Sequence, residues 1–318
     1  AKYIERGYSL ANTEHIDYKD VLKKSTTWQQ FFFLCSTSSD EEAFVARHST
    51  FEQSEEIAKH YVIDKDQWGE KMYSSDQIVY GNRLHEGVLV GASALDEERW
   101  NFTQLLNFLA FHRYKIAEEA KLENDRQFGI FHCTNEIGLK TACNARSAYE
   151  ELGSRLVEHI TNWEQEKCEG YNPETRSIEV EIQGETIQLS RFSEMEIKVE
   201  HPFFEKLPKV LNYVEELYKE CLKIGGKGLL REMDQQEMLL QKLGEIFWLI
   251  CQAKPWLRGD PSIAEMLIKA VWLHKTGKLL PPWKKRLIPW ESTIEKTNYR
   301  DYGRTFSECF SKSPVIKD

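Results

Sequence analysis

Two apolar stripes at helical spacing, set on either side of a short loop that carries proline and glycine, constrain this chain more than any other feature. They occupy residues 245–277, EIFWLICQAKPWLRGDPSIAEMLIKAVWLHKTG. Upstream, Asp234 is placed to cap a helix whose apolar positions Leu239, Leu243, Ile246, Phe247 and Ile250 recur three and four residues apart, the pattern of a buried stripe. Pro255 ends that helix, because proline supplies no N–H and clashes with the preceding turn. Asp260 is then expected to cap a second helix with Pro261 at its first position, where the missing N–H costs nothing. Ile263, Met266, Leu267, Ala270 and Val271 form its stripe, and Gly277 is a natural stop. The first turn of such a helix carries unpaired N–H groups and partial positive charge. Arg258, two residues before the cap, adds a guanidinium fork that fits phosphate oxygens. The spacing therefore marks Arg258 and Gly259 as a candidate anion site, with a nucleotide phosphate as the first ligand to consider. The plainer alternative is a capped turn in which Arg258 pairs with Asp260 or Glu265.

With 318 residues the chain can bury a sizeable core, and no Pro/Gly/Ser-rich linker divides it, so a single elaborated domain is expected. Lys and Arg number 42 against 51 Asp and Glu, a net charge of −9 that argues against a general nucleic-acid or anionic-membrane binder. Any phosphate must then be held by a local cation. No apolar run approaches the roughly 20 residues that span a bilayer, and FFFLC at 31–35 is core-sized. No signal peptide is visible after Ala1, although a secretion signal or an acylated N-terminal segment trimmed before that residue is an open expectation. Seven cysteines without CxxC spacing read as reduced thiols, and no metal site is expected.

The pattern along the chain is mostly helical. Residues 1–25 read as a poorly ordered polar arm, residues 26–310 as one domain with an N-terminal helical elaboration, and 311–318 as a tail. Helical windows lie near 27–36, 50–62, 65–74, 100–122 and 146–166. The glycine-punctuated stretch 81–97 fits either a strand and turn or an irregular loop. FGIFHCTNEIGLKTACN at 128–144, with Thr134, Asn135 and Thr141, reads as a loop of the active-site kind or as a simple connection.

At residue 177 the period changes from 3.6 to 2. SIEVEIQGETIQLSRF alternates Ile178, Val180 and Ile182, then Ile187 and Leu189, with Gly184-Glu185 as the expected two-residue turn of a hairpin. MEIKVE at 195–200 adds a candidate third strand. Pro202 is expected to open the helix that follows, which would set His201 at its mouth. There the dipole favours a neutral imidazole able to act as donor, acceptor or base, or simply as a cap. The fold class expected from these elements is mainly α with a small β-hairpin or sheet, an α+β chain.

Several signatures are missing: G-x-G-x-x-G after a strand, G-x-x-x-x-G-K-[ST], H-E-x-x-H and G-x-S-x-G. Gly225-Gly226-Lys227-Gly228 follows a helix and lacks Ser or Thr after the lysine, so it reads as a helix stop. The positive run Lys284 to Arg286 reads as solvated loop, and the nine tryptophans as core and rim.

PWLRGDPSIAEMLIKA resembles the loop and helix of the Fic/Doc (Fido) superfamily motif H-P-F-x-D/E-G-N-G-R in a degenerate form. Lys254 stands where the catalytic histidine would be, and Arg258, Gly259 and Asp260 replace the Gly-Asn-Gly-Arg segment. A divergent branch of that superfamily, the avirulence protein B (AvrB) family of plant-pathogen effectors, is more similar. HPFFEKLPKVLNYVEELYKECL resembles that family's H-x-x-x-x-x-L-P helix ending in L-Y. RGDPSIAEMLIKA followed by GKLLPP resembles its R-G-S-A-A-x-A-E and G-x-x-L-P-P run, and FSECF at 306–310 its D-x-C-F-like close. The resemblance spans about residues 100–310.

It implies a Fido-like helical core with a hairpin, secreted by a bacterium into a host cell and acting on a host protein from the host cytoplasm or its membranes. It implies that His201 is a catalytic or orienting residue. Arg258, with Gly259 and Lys254 beside it, would bind a nucleotide or nucleotide-sugar donor, helped by a threonine. Thr134 is the nearest candidate for that threonine, although a gapless alignment places Glu136 there. The activity implied is transfer of a glycosyl or ADP-ribosyl group to a host side chain. Fic-type AMP transfer and a non-catalytic host-binding module are the alternatives.

Overall fold

The computed structural model describes residues 54–61, 75–120, 157–192, 199–200, 206–226, 229–256, 258–285 and 287–315. Their elements run in order: α1 (Glu55–Ala58), α2 (Ser75–Asp96), α3 (Phe102–Glu119), a helix over 157–166 (α4), and strands β1 (Tyr171–Asn172), β2 (Ser177–Ile182), β3 (Glu185–Phe192) and β4 (Val199–Glu200). Helices α5 (Leu207–Lys223), α6 (Met233–Ala253), α7 (Asp260–Thr276), α8 (Pro289–Ile294) and α9 (Tyr299–Thr305) follow, and a 3-10 turn at Phe306–Cys309 closes the core. The chain is mainly helical with one small antiparallel sheet, ordered β1-β2-β3-β4.

Helices α6 and α7 form the centre. The five stripe positions of each are fully buried, and so are Trp248, Leu249, Ala264, Ile268 and Trp272 on other faces. A helix apolar nearly all round must be enclosed by neighbours. Here α2, α3 and α5 cover α7, while α5, α8, α9 and strand β3 cover α6.

The stretch 81–97 is neither strand nor loop; it is the body of α2. Its glycines misdirect a reading based on local propensity, because their purpose is tertiary. A Cβ on Gly81 would lie 2.8 Å from Ala58 Cα, one on Gly87 2.7 Å from Met266 Sδ, and one on Gly91 3.1 Å from Ala270 Cβ. The helix accepts the propensity cost of glycine, about 1 kcal/mol each, in return for close approach to α1 and α7.

The hairpin forms at the expected place with a turn one residue earlier. Ile182 pairs with Glu185, so the turn residues are Gln183 and Gly184, both at positive φ (51° and 75°). A two-residue turn of that hand needs positive φ at both positions, which Glu185 does not have to supply. Val180, Ile182, Ile187 and Leu189 face the core. β4 provides the expected further strand at Val199–Glu200, and β1 is an addition that its two residues could not signal.

Helix α5 begins at Leu207 with Lys206 as its N-cap and Pro208 in the first turn, so Pro208 and not Pro202 is its starting proline. The mouth of α5 is therefore at Lys206 and not at His201, which lies outside the described residues. At the start of α6 Glu232 takes the N-cap position without a side-chain cap bond, and Asp234, expected there, lies in the first turn. After α5, Gly225 and Gly226 take φ of 68° and 70°, the helix stop expected of them. The sequence windows at 27–36 and 65–74 and the loop at 128–144 lie outside the described residues.

Candidate functional site

Helix α6 stops at Ala253 because Pro255 follows, and Lys254 absorbs the reversal in the left-handed region, φ 45° and ψ 63°, its N–H bonded to the Ile250 carbonyl. The Lys254 ammonium lies 5.8 Å from the centre of the Trp290 ring on α8. The left-handed region costs a residue with a Cβ about 1 kcal/mol, while a cation over an aromatic face returns a similar amount. Lys254→Gly is thus expected to change stability by less than about 1 kcal/mol. Lys254→Val, branched at Cβ and without the ammonium, should lose about 2 kcal/mol in a urea titration.

The loop then runs through buried Trp256 to half-buried Arg258 and Gly259. Gly259, at φ 92° and ψ 6°, is the N-cap of α7, and as a glycine it brings no side chain to cap this helix start. Asp260, only 2% exposed, is the first helical residue and not the cap. Its carboxylate turns back into the loop, where Oδ1 accepts the Trp256 N–H at 2.8 Å. The carboxylate expected to cap the helix instead braces the loop, because Gly259 alone can take the left-handed turn that leads into it. Arg258 and Gly259 lie next to each other at the start of α7. Glu265, further along α7, accepts on its Oε1 from Lys269 and from the Trp283 indole N–H.

Further polar groups gather at the first turn of α7. Tyr80 on α2 shares a hydrogen bond with Ser262, hydroxyl to hydroxyl at 2.7 Å. The Arg113 guanidinium of α3, 5% exposed, lies 5.3 Å from the centre of the Tyr80 ring. Sequence reasoning missed Tyr80 because it missed α2. Arg113 was visible only as one polar position in a helical window.

The loop also rests on the sheet. Ser190 Oγ of β3 donates to Gln252 Oε1 at 2.5 Å, and Gln252 Nε2 donates to the Thr293 carbonyl at 2.7 Å. These buried bonds join hairpin, α6 and α8 immediately below Lys254, and buried polar groups satisfied in this way fix one geometry.

Of the five residues singled out from the sequence, Lys254, Arg258 and Gly259 share this loop, while Thr134 and His201 lie outside the described residues. Among the described residues no thiol is activated: burial pushes the Cys221 and Cys251 thiols far up, that of Cys309 up to about 11 and that of Cys168 up as well, so each stays protonated at neutral pH. Among the described residues no group of three His, Cys, Asp or Glu side chains is placed to hold a metal ion, and no helix is long and apolar enough to cross a membrane. No protein-family model matches the chain, and no curated protein matches it in sequence.

Proposed function

We propose that the protein is a transferase that holds the diphosphate of a nucleotide or nucleotide-sugar donor at the α6–α7 loop and moves a glycosyl or ADP-ribosyl group onto a side chain of a host protein. The observation that carries this reading is the glycine-led start of α7, with Arg258 and Gly259 half-buried at it and the Asp260 carboxylate folded back onto the Trp256 N–H. Oriented N–H groups and a guanidinium suit a leaving diphosphate, whose charge grows as the bond to the sugar breaks. His201 would orient the donor or take the acceptor's proton, and Thr134 would complete the donor pocket. Lys254, which caps α6 and lies over Trp290, takes no proton in this scheme. That favours glycosyl or ADP-ribosyl transfer over Fic-type AMP transfer, which needs a histidine base there. Delivery into a host cell as a bacterial effector belongs to the same proposal and rests on the resemblance to the avirulence protein B family.

The test is direct. A panel of nucleoside diphosphates and nucleotide sugars should raise the melting temperature, and Arg258→Ala should weaken the tightest of them by about 10- to 100-fold, the worth of one charge-assisted pair. An undiminished shift in that variant would place the anion elsewhere. Intact-mass measurement of host proteins incubated with enzyme and donor should show a sugar or ADP-ribose increment. An AMP increment would select the Fic reading, and bound partner without any increment would select a binding module.

A further inference from the structure

Residues 54–61 are fastened to the core by side chains of α2 and α7 and by the Leu280 carbonyl. Asn82 of α2 grips the backbone at Ser54 twice, accepting its N–H at 2.9 Å and donating to its carbonyl at 2.9 Å. Ala58 lies against the bare backbone of Gly81. At the far end the Lys269 ammonium of α7 donates to the His60 carbonyl, His60 Nδ1 meets the Leu280 carbonyl at 2.7 Å, and the Tyr61 hydroxyl meets His85 Nδ1 at 2.7 Å. None of these contacts is local in sequence.

The centre of the attachment is a buried cation. Lys269, 2% exposed, pairs with Glu265 Oε1 at 2.5 Å, lies 4.1 Å from the centre of the Tyr61 ring and 5.3 Å from that of Trp283, and Trp283 donates its indole N–H to the same Glu265 oxygen at 2.8 Å. Tyr61 and the His60 carbonyl thus form the segment's half of a cage around an ammonium, and His60 and His85 line its edge. The geometry points to residues 54–61 being an acid-released strap: latched while the imidazoles of His60 and His85 are neutral, and freed when they gain charge beside Lys269.

Both histidines are displaced in the sense the latch requires. Burial holds His85 down at about 4, with the charges of His60 and Lys269 adding to it. His60 is also lowered, first by burial and then by Lys269, with the Leu280 carbonyl opposing. Glu56 on the strap itself favours a charged His60, and Lys312 from the C-terminal segment disfavours it. Glu265 is the carboxylate facing Lys269 from α7. A histidine whose pKa is depressed on docking contributes fully above its free value near 6.5. That contribution drains away as pH falls toward the docked value. Because the strap's attachments are few while every residue of α6 from Leu243 to Ala253 is buried, local release precedes global unfolding.

Hydrogen exchange of the full chain, read by mass spectrometry and corrected for the intrinsic pH dependence of exchange, tests this. Between neutral pH and about pH 4.5, peptides covering 54–61 should lose protection at least about tenfold relative to α6. A His60→Gln/His85→Gln double variant, which cannot take up the protons, should keep that ratio within about twofold. Either single variant, useful if the double fails to fold, should give an intermediate loss. Strap protection that stays constant, or that falls in step with α6, would overturn the proposal. So would a release of equal size in the double variant, which would assign the acid response to Glu265.

Discussion

Replacing Glu265 with alanine should cost about 3–5 kcal/mol of folding stability, as much as truncating a large core side chain. The reason is asymmetric. With Glu265 gone, the Lys269 ammonium remains buried with only a carbonyl and two aromatic faces to replace water, and the Trp283 indole N–H loses its acceptor. Burial already draws the Lys269 pKa down, and Glu265 only partly restores it. The double variant Glu265→Leu/Lys269→Met, which removes both charges and keeps most of the volume, should recover most of the loss, since well-filled apolar replacements of buried pairs are often neutral. Urea denaturation of the two variants reads the difference. A Glu265→Ala loss below about 1 kcal/mol would mean that the pair is hydrated and that the cage is not closed.

Gly303→Val should be nearly as damaging, by about 3 kcal/mol, through overpacking. Helix α9 crosses α6 at two glycines: a Cβ on Gly303 would lie 2.7 Å from the Gln241 carbonyl oxygen, and one on Gly244 2.6 Å from Phe306 Cβ. The nearest obstacle at Gly303 is main chain, which cannot rotate aside as a side chain would. α9 would have to lift, pulling Tyr302 and Phe306 away from Phe247. Gly303→Ala should fall below the valine variant in cost, and the order of their thermal midpoints checks the argument. Equal midpoints for wild type and Gly303→Val would show that the crossing is loose.

The elements that sequence marked most clearly are those whose pattern is local. Helices α6 and α7 repeat apolar residues at 3.6 spacing over about five turns each, and Pro255 and Gly277 punctuate them unambiguously. The hairpin announces itself by alternation around a glycine. Helix α2 was illegible because Gly81, Gly87 and Gly91 read locally as breakers, while their use depends on Ala58, Met266 and Ala270. Nothing in the order of residues states that those partners will be opposite. At the site, Arg258 and Gly259 were legible as a guanidinium before a helix start. The role of Asp260 was not, since capping its own helix and bracing the Trp256 N–H differ only in how Gly259 turns. Tyr80, Ser262 and Arg113 are separated by 30 residues or more of chain and meet only when α2 and α3 lie on α7.

By itself the sequence determined that this chain is mainly helical, where its two central helices end and, to within about two residues, where they begin, where its hairpin lies, and that a cationic loop joins the helices. Periodicity, proline and glycine act over a few residues, and they need no knowledge of what lies across the core. The tertiary structure alone decided that Lys269 would be a buried cation caged by residues about 200 positions earlier, that α2 would run unbroken through three glycines, and that an aspartate would brace a loop instead of capping a helix. Each of these depends on which surfaces meet, and the free energy that selects the meeting comes from burial summed over the whole core.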